Sequence, residues 1–131
     1  MPKFSKGSLE KLATVDQRLA DVAFEAIKTV DFKVIVGHRG KLQQDEAFAK
    51  GFSKLRYPKS NHNKFPSRAF DFIPWPFRGW EAKGINKDFE RVAAGIKAAA
   101  DRVGVKIVWG GDWKTFVDRP HIELHKSEEV A

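Results

Sequence analysis

The chain of 131 residues contains no cysteine, which excludes disulfide frameworks, thiol nucleophiles and cysteine-ligated zinc sites together. Folding is thereby indifferent to redox compartment. No stretch approaches the roughly 20 apolar residues that span a bilayer, and the opening MPKFSKGSLEKLATVD lacks the apolar core of a secretory signal. A substrate beyond a membrane would have to be reached by some other release. Internal repeats, low-complexity segments and nucleic-acid motifs are also missing. A net charge of +7 attracts polyanions in general, an acidic cell envelope among them. The basic residues are scattered, however, and no specific nucleic-acid partner is expected.

What is present suits one soluble domain over residues 1–131 acting as a monomer. Eleven phenylalanines and four tryptophans can bury a core without a structural metal. Leu12, Val15, Leu19, Val22, Ala23, Ala26 and Ile27 recur at helical spacing, with Thr14 and Gln17 as a capping box. FKVIV after Asp31 reads as a strand ending at Gly37, and Lys41 to Lys50 as a helix closed by Gly51. Phe52 to Pro66 reads as a loop and Ala69 to Ile73 as a second strand. Asn86 is a cap candidate for a third helix that ends at Gly104. Val105 to Trp109, followed by the turn Gly110–Gly111 and a loop through Pro120, and then His121 to Leu124 complete the strands. The predicted fold class is α+β, a small, mostly antiparallel sheet with flanking helices.

The chemistry resides in histidines and carboxylates. A hydrolytic zinc site needs three protein ligands, an open position for water, and a further carboxylate to move protons. Two histidines and one carboxylate leave the ion positive enough to bring water's pKa toward ~7. His62, Asp71 and His121, with Asp118 as the proton carrier, supply that set. Asp71 and His121 fall on strands that can be neighbours, while His62 precedes Asp71 in a loop able to fold back. His121 and His125 have the i, i+4 spacing of a helical zinc pair, but HIEL alternates as a strand, where four residues span roughly 13 Å; His125 is read as surface. Each residue has a plainer reading. His62 and His121 can be structural, Asp71 can pair with Arg68 or Lys64, and Asp118 can be a turn residue before Pro120.

These motifs resemble the DD-peptidase family of zinc peptidases. The matching stretches are GHRGKLQQ (Gly37–Gln44), SNH (Ser60–His62), RAFDFIPWP (Arg68–Pro76) and WGGDWKTFVDRPHIEL (Trp109–Leu124). The last is the most specific. The resemblance implies a Hedgehog/DD-peptidase-like fold, zinc on His62, Asp71 and His121, Asp118 as general acid/base, and Arg39 facing the carbonyl oxygen as charge develops. NKFPSRAF between His62 and Asp71 departs from the commoner, shorter, Gly-containing loop; no role is assigned to Ser67, Arg68 or His38. An Asp at position 118 and a compact chain favour the phage L-alanyl-D-glutamate endopeptidases, whose substrate is the stem peptide of peptidoglycan. The expected protein is a phage endolysin, waiting in the host cytoplasm until lysis and then acting on periplasmic peptidoglycan. A D-Ala-D-Ala carboxypeptidase and a non-catalytic zinc-containing wall-binding module are the alternatives.

Overall fold

The structure, a computed structural model, describes residues 2–129. Its elements run α1 (Lys6–Leu12), α2 (Gln17–Ala26), β1 (Phe32–Val36), α3 (Lys41–Ala49), β2 (Ala69–Pro74), α4 (Ile85–Val103), β3 (Ile107–Trp109) and β4 (His121–Leu124). The strands form one sheet in the order β1-β2-β4-β3, antiparallel throughout. This is the α+β class that the sequence predicted.

Period-two alternation gives the sheet two faces with different tasks. Phe32, Val34, Phe70, Phe72, Ile122 and Leu124 are buried in one core with Leu19 and Val22 of α2 and Phe89, Val92 and Ile96 of α4. Residues of the intervening register point the other way. Phe70 pairs with Ile122 on the core face, so Asp71 and His121, the next pair along the ladder, share the opposite face. A one-residue slip would bury the carboxylate and expose the phenylalanines. Burial of the aromatic face therefore sets where the polar residues go.

A bulge between Val34 and Val36 shifts the β1 register so that Val36 stands opposite Asp71. Bulges re-aim the chain locally, and here the strand leaves toward Gly37 beside the polar face. No Cβ fits at Gly37, because it would run into Thr14 Oγ1 and the Lys11 carbonyl. The glycine lets β1 pass tight against the end of α1.

Four local expectations are corrected. The amphipathic stretch from Leu12 to Ile27 is broken, with α1 ending at Leu12 and α2 starting at Gln17. Asp16, not Thr14, caps α2 by accepting from Arg18 N at 3.0 Å. Thr14 accepts instead from His38 N at 2.9 Å, and the joint is held by backbone bonds between Thr14 and Asp16 on one side and Ser67 on the other. The third helix, α4, has Gly84 at its cap and Asn86 within its first turn. β3 begins at Ile107 rather than Val105, and Gly110–Asp112 forms a short 3-10 turn. Among the described residues no helix is long and apolar enough to cross a membrane.

Candidate metal centre

The site is assembled from three distant segments on the polar face of the sheet. Asp71 contributes from β2 and His121 from β4, where the two are direct register partners. His62 arrives on a 3-10 turn, Asn61–Asn63, that Ser60 caps by accepting from His62 N at 3.2 Å. The turn is laced to the segment after β1: Arg39 N donates to the His62 carbonyl at 2.7 Å, and Asn63 Nδ2 donates to the Arg39 carbonyl at 2.9 Å.

Asp71 Oδ1 lies 3.1 Å from His62 Nε2 and 3.3 Å from His121 Nδ1. One ligand atom from each residue falls within 4.8 Å of the other two. Ligand bonds of roughly 2.0–2.1 Å in a tetrahedral site would place neighbouring donor atoms about 3.3 Å apart, so the spacing suits a small divalent ion. The outer nitrogens are committed as such a centre requires. His62 Nδ1 donates to the Gly37 carbonyl at 2.8 Å, and His121 Nε2 donates to Glu123 Oε1 at 2.7 Å. Each bond occupies one ring nitrogen and leaves the nitrogen facing Asp71 as the one a metal would take, on loss of any proton it carries. The His-Asp-His set can hold a metal.

Electrostatics follow from this crowding. Burial opposes ionisation of Asp71, but the neighbouring His62 and His121 imidazoles outweigh it and hold the carboxyl well below the usual range. Burial likewise opposes protonation of His121, yet its hydrogen bonds to Asp71 and Glu123 raise it to about 9. A metal would displace that proton. Asp118 behaves in the opposite sense. Burial, reinforced by the charge of Asp71, pushes it up to about 6, within the range where a carboxyl can both take and give a proton near neutrality.

The conspicuous WGGDW stretch has a steric explanation. A Cβ on Gly110 would strike the Asp118 carbonyl and come within 3.0 Å of His121 Cβ. Asp118 N donates to the Gly110 carbonyl at 3.0 Å, and Trp109 Nε1 donates to the Arg119 carbonyl at 2.7 Å. The loop carrying Asp118 is thus tied to Gly110 and Trp109. Trp113 packs against the His121 ring, with centroids 5.2 Å apart. Asp112, by contrast, pairs with Lys97 of α4 at 2.6 Å, away from the ligands.

Arg39 lines the cleft beside Asp118. Its Nη2 is 3.6 Å from Asp71 Oδ2, and its Nη1 donates to Gln44 Oε1 at 3.0 Å. Gln44, fully buried on α3, also donates to the Leu55 carbonyl at 2.6 Å and to Ser53 Oγ at 2.9 Å. That one amide joins the arginine to the loop walling the site.

The structure therefore brings His62, Asp71, His121, Asp118 and Arg39 to one cleft. Asp71 pairs with neither Arg68 nor Lys64; Arg68 turns away and donates to the Glu128 carbonyl at 2.7 Å. Ser67 is buried in hydrogen bonds to backbone carbonyls, and His125 bonds Ser127 outside the cluster. Sequence reasoning missed Glu123 as the partner of His121. The signal was available, since i, i+2 on a strand puts both on one face.

A sequence model of the phage L-alanyl-D-glutamate peptidase family matches residues 1–125. The chain belongs to that family. Among similar proteins, the L-alanyl-D-glutamate peptidase of Escherichia phage T5 is 33% identical over 119 residues, covering 88% of this chain and 85% of the relative. The crystal structure of the Serratia marcescens L-Ala D-Glu endopeptidase ChiX superposes with a TM-score of 0.78 at 28% identity, covering 94% of this chain and 90% of that one. For a phage L-alanyl-D-glutamate peptidase, the clustering of two imidazoles, one strand carboxylate and one raised carboxyl in a single cleft provides the groups that metal-assisted amide hydrolysis demands.

Proposed function

We propose that the protein is a peptidoglycan endopeptidase that hydrolyses the L-Ala–D-Glu bond of the stem peptide, using a zinc ion held by His62, Asp71 and His121. The observation that carries this reading is the meeting of three ligand atoms within 4.8 Å, with a carboxyl raised to about 6 beside them, in a member of this family. Two nitrogens and one oxygen form a donor set suited to zinc.

When bound, zinc supplies Lewis acidity that polarises the scissile carbonyl and acidifies water. The protein's own groups do the rest. Asp118 takes the proton from the attacking water and returns it to the departing D-Glu amine. Arg39, held by Gln44, sets a guanidinium where negative charge grows on the carbonyl oxygen. Glu123 and the Gly37 carbonyl keep the two imidazoles oriented. The net charge of +7 favours approach to the acidic wall and envelope. In this reading the protein is a phage endolysin, held in the host cytoplasm until the inner membrane is opened.

Mass spectrometry of digested Gram-negative peptidoglycan tests the reading. New L-Ala carboxyl ends and D-Glu amino ends are expected. Release of terminal D-Ala alone would replace the endopeptidase assignment with a carboxypeptidase.

A further inference from the structure

The cleft has two arms that meet at the candidate metal centre. Phe52 and Phe116 line both arms and mark the ridge between them, beside Arg39 and Asp118. Phe116 holds this place with a backbone φ of 48°, a left-handed conformation that costs a non-glycine residue on the order of 1 kcal/mol. One arm, about 390 Å³, carries Lys54 and Lys114 with the hydroxyls of Ser53 and Thr115, and Trp113, packed on the His121 ring, lines it as well. Neither lysine has an ion-pair partner among the described residues. The other arm, about 870 Å³, is walled by Trp80 and Val117, with Gln43 as a neutral polar group. Of its two lysines, Lys50 is paired with Glu46 at 2.6 Å, while Lys11 has no ion-pair partner among the described residues. Trp80 stacks on Phe89 at 5.7 Å between centroids and 16° between planes, meets the edge of Phe77, and remains 57% exposed. It is an aromatic plate fixed from behind.

The substrate is equally two-sided, if the endopeptidase reading on which this inference rests is correct. On one side of the L-Ala–D-Glu bond the alanine joins directly to the lactyl group of N-acetylmuramic acid, so a sugar begins one residue from the cut. On the other side lies the free α-carboxylate of D-Glu, followed by a diamino acid bearing a carboxylate of its own. Sugars offer C–H faces to aromatic rings and amide or hydroxyl groups to neutral polar side chains. Carboxylates seek unpaired cations.

We propose that the stem peptide lies across the cleft in one direction, with its N-acetylmuramyl side on Trp80 and the carboxylate of D-Glu on Lys54 and Lys114. The larger arm then takes the glycan and the smaller takes the acidic peptide. The arrangement makes Trp80 and the two lysines specificity determinants, and the bond lying between sugar and first carboxylate is the one placed at Asp118.

Titration of the zinc-loaded protein with two fragments decides the matter. The first is N-acetylglucosaminyl-N-acetylmuramyl-L-alanine, and the second is γ-D-glutamyl-diaminopimelate. Trp80→Ala is expected to weaken the sugar fragment about tenfold relative to the peptide fragment. The double variant Lys54→Met/Lys114→Met is expected to weaken the peptide fragment about tenfold relative to the sugar fragment. Amidating the D-Glu α-carboxylate should reproduce the lysine effect in the unaltered protein and add nothing in the double variant. All three residues are exposed enough for thermal unfolding to verify folded variants. The reverse pattern, equal weakening of both fragments, unchanged ratios, or no binding of either fragment by the unaltered protein each overturns the proposal. Failure of the catalytic reading has a separate signature, namely no hydrolysis of intact muropeptide, and the fragment ratios still decide the orientation in that case.

Discussion

Asp71 and His121 face each other as register partners across the β2–β4 ladder, with Asp71 Oδ1 3.3 Å from His121 Nδ1. The pair is set by backbone hydrogen bonds rather than by flexible side chains, so two of the three candidate ligands are in place before any metal arrives. Only His62 depends on a loop, and Ser60 and the Gly37 carbonyl hold it. Such rigidity favours a defined coordination geometry.

Metal removal should abolish wall hydrolysis and lower stability together. Dialysis against a chelator is expected to release about one zinc per chain, and added zinc should restore both properties. At free zinc near 1,000 times its Kd the stabilisation is about 4 kcal/mol. Scanning calorimetry with and without zinc checks this, and Asp71→Asn should show neither the bound metal nor the stabilisation.

Asp118→Asn separates chemistry from metal binding. The variant should retain zinc by elemental analysis while losing roughly 10²–10⁴-fold in kcat/KM. It should also stabilise the metal-free protein at pH 7.5. The folded-state pKa of Asp118, about 6, lies above its ordinary value of 3.8. The folded protein therefore binds more protons than the unfolded chain across that window, and stability falls as pH rises through it. Asparagine removes the penalty, an expected gain of about 2 kcal/mol after allowance for partial exposure. Below about pH 3, well under both pKa values, the two proteins should unfold alike, because aspartate is then protonated in both states. Equal unfolding temperatures at pH 7.5 would contradict the burial argument.

Glu123→Gln leaves every candidate ligand in place but weakens the acceptor that orients His121. A drop of roughly 10- to 100-fold in zinc affinity is expected, measured by competition with a chromogenic chelator. Activity should recover largely at saturating zinc. Asp118→Asn should not recover under the same conditions, and that contrast distinguishes an orienting group from a proton carrier.

Gly110→Ala tests the steric account of the tryptophan-glycine motif. The added methyl would meet the Asp118 carbonyl and crowd His121 Cβ at 3.0 Å, so the loop must lift. Destabilisation of about 1–3 kcal/mol should accompany a fall in kcat/KM larger than any fall in zinc content. An alanine variant with unaltered kinetics would show that the loop yields freely.

Which parts of this were legible beforehand follows from the range of the interactions involved. Alternation in AFDFI and HIEL identified the strands that carry Asp71 and His121, because side-chain direction along a strand is a local property. The break between α1 and α2 was hidden, since apolar spacing continues through Val15 while Asp16 caps from within. The role of Gln44 was only hinted at by motif, since the atoms it bonds at Ser53 and Leu55 lie far along the loop.

By itself the sequence determined the α+β class, the family, and the short list of residues able to hold a metal or move a proton. These depend on residue type, local periodicity and motif. Tertiary structure alone decided that Asp71 pairs with the imidazoles and Arg39 rather than with Arg68 or Lys64, that Glu123 bonds His121, and that the cleft divides into two arms that share Arg39 and Asp118. Each of those outcomes depends on which strands pair and in what register, and the register is set by burying Phe70, Phe72 and Ile122 on the opposite face.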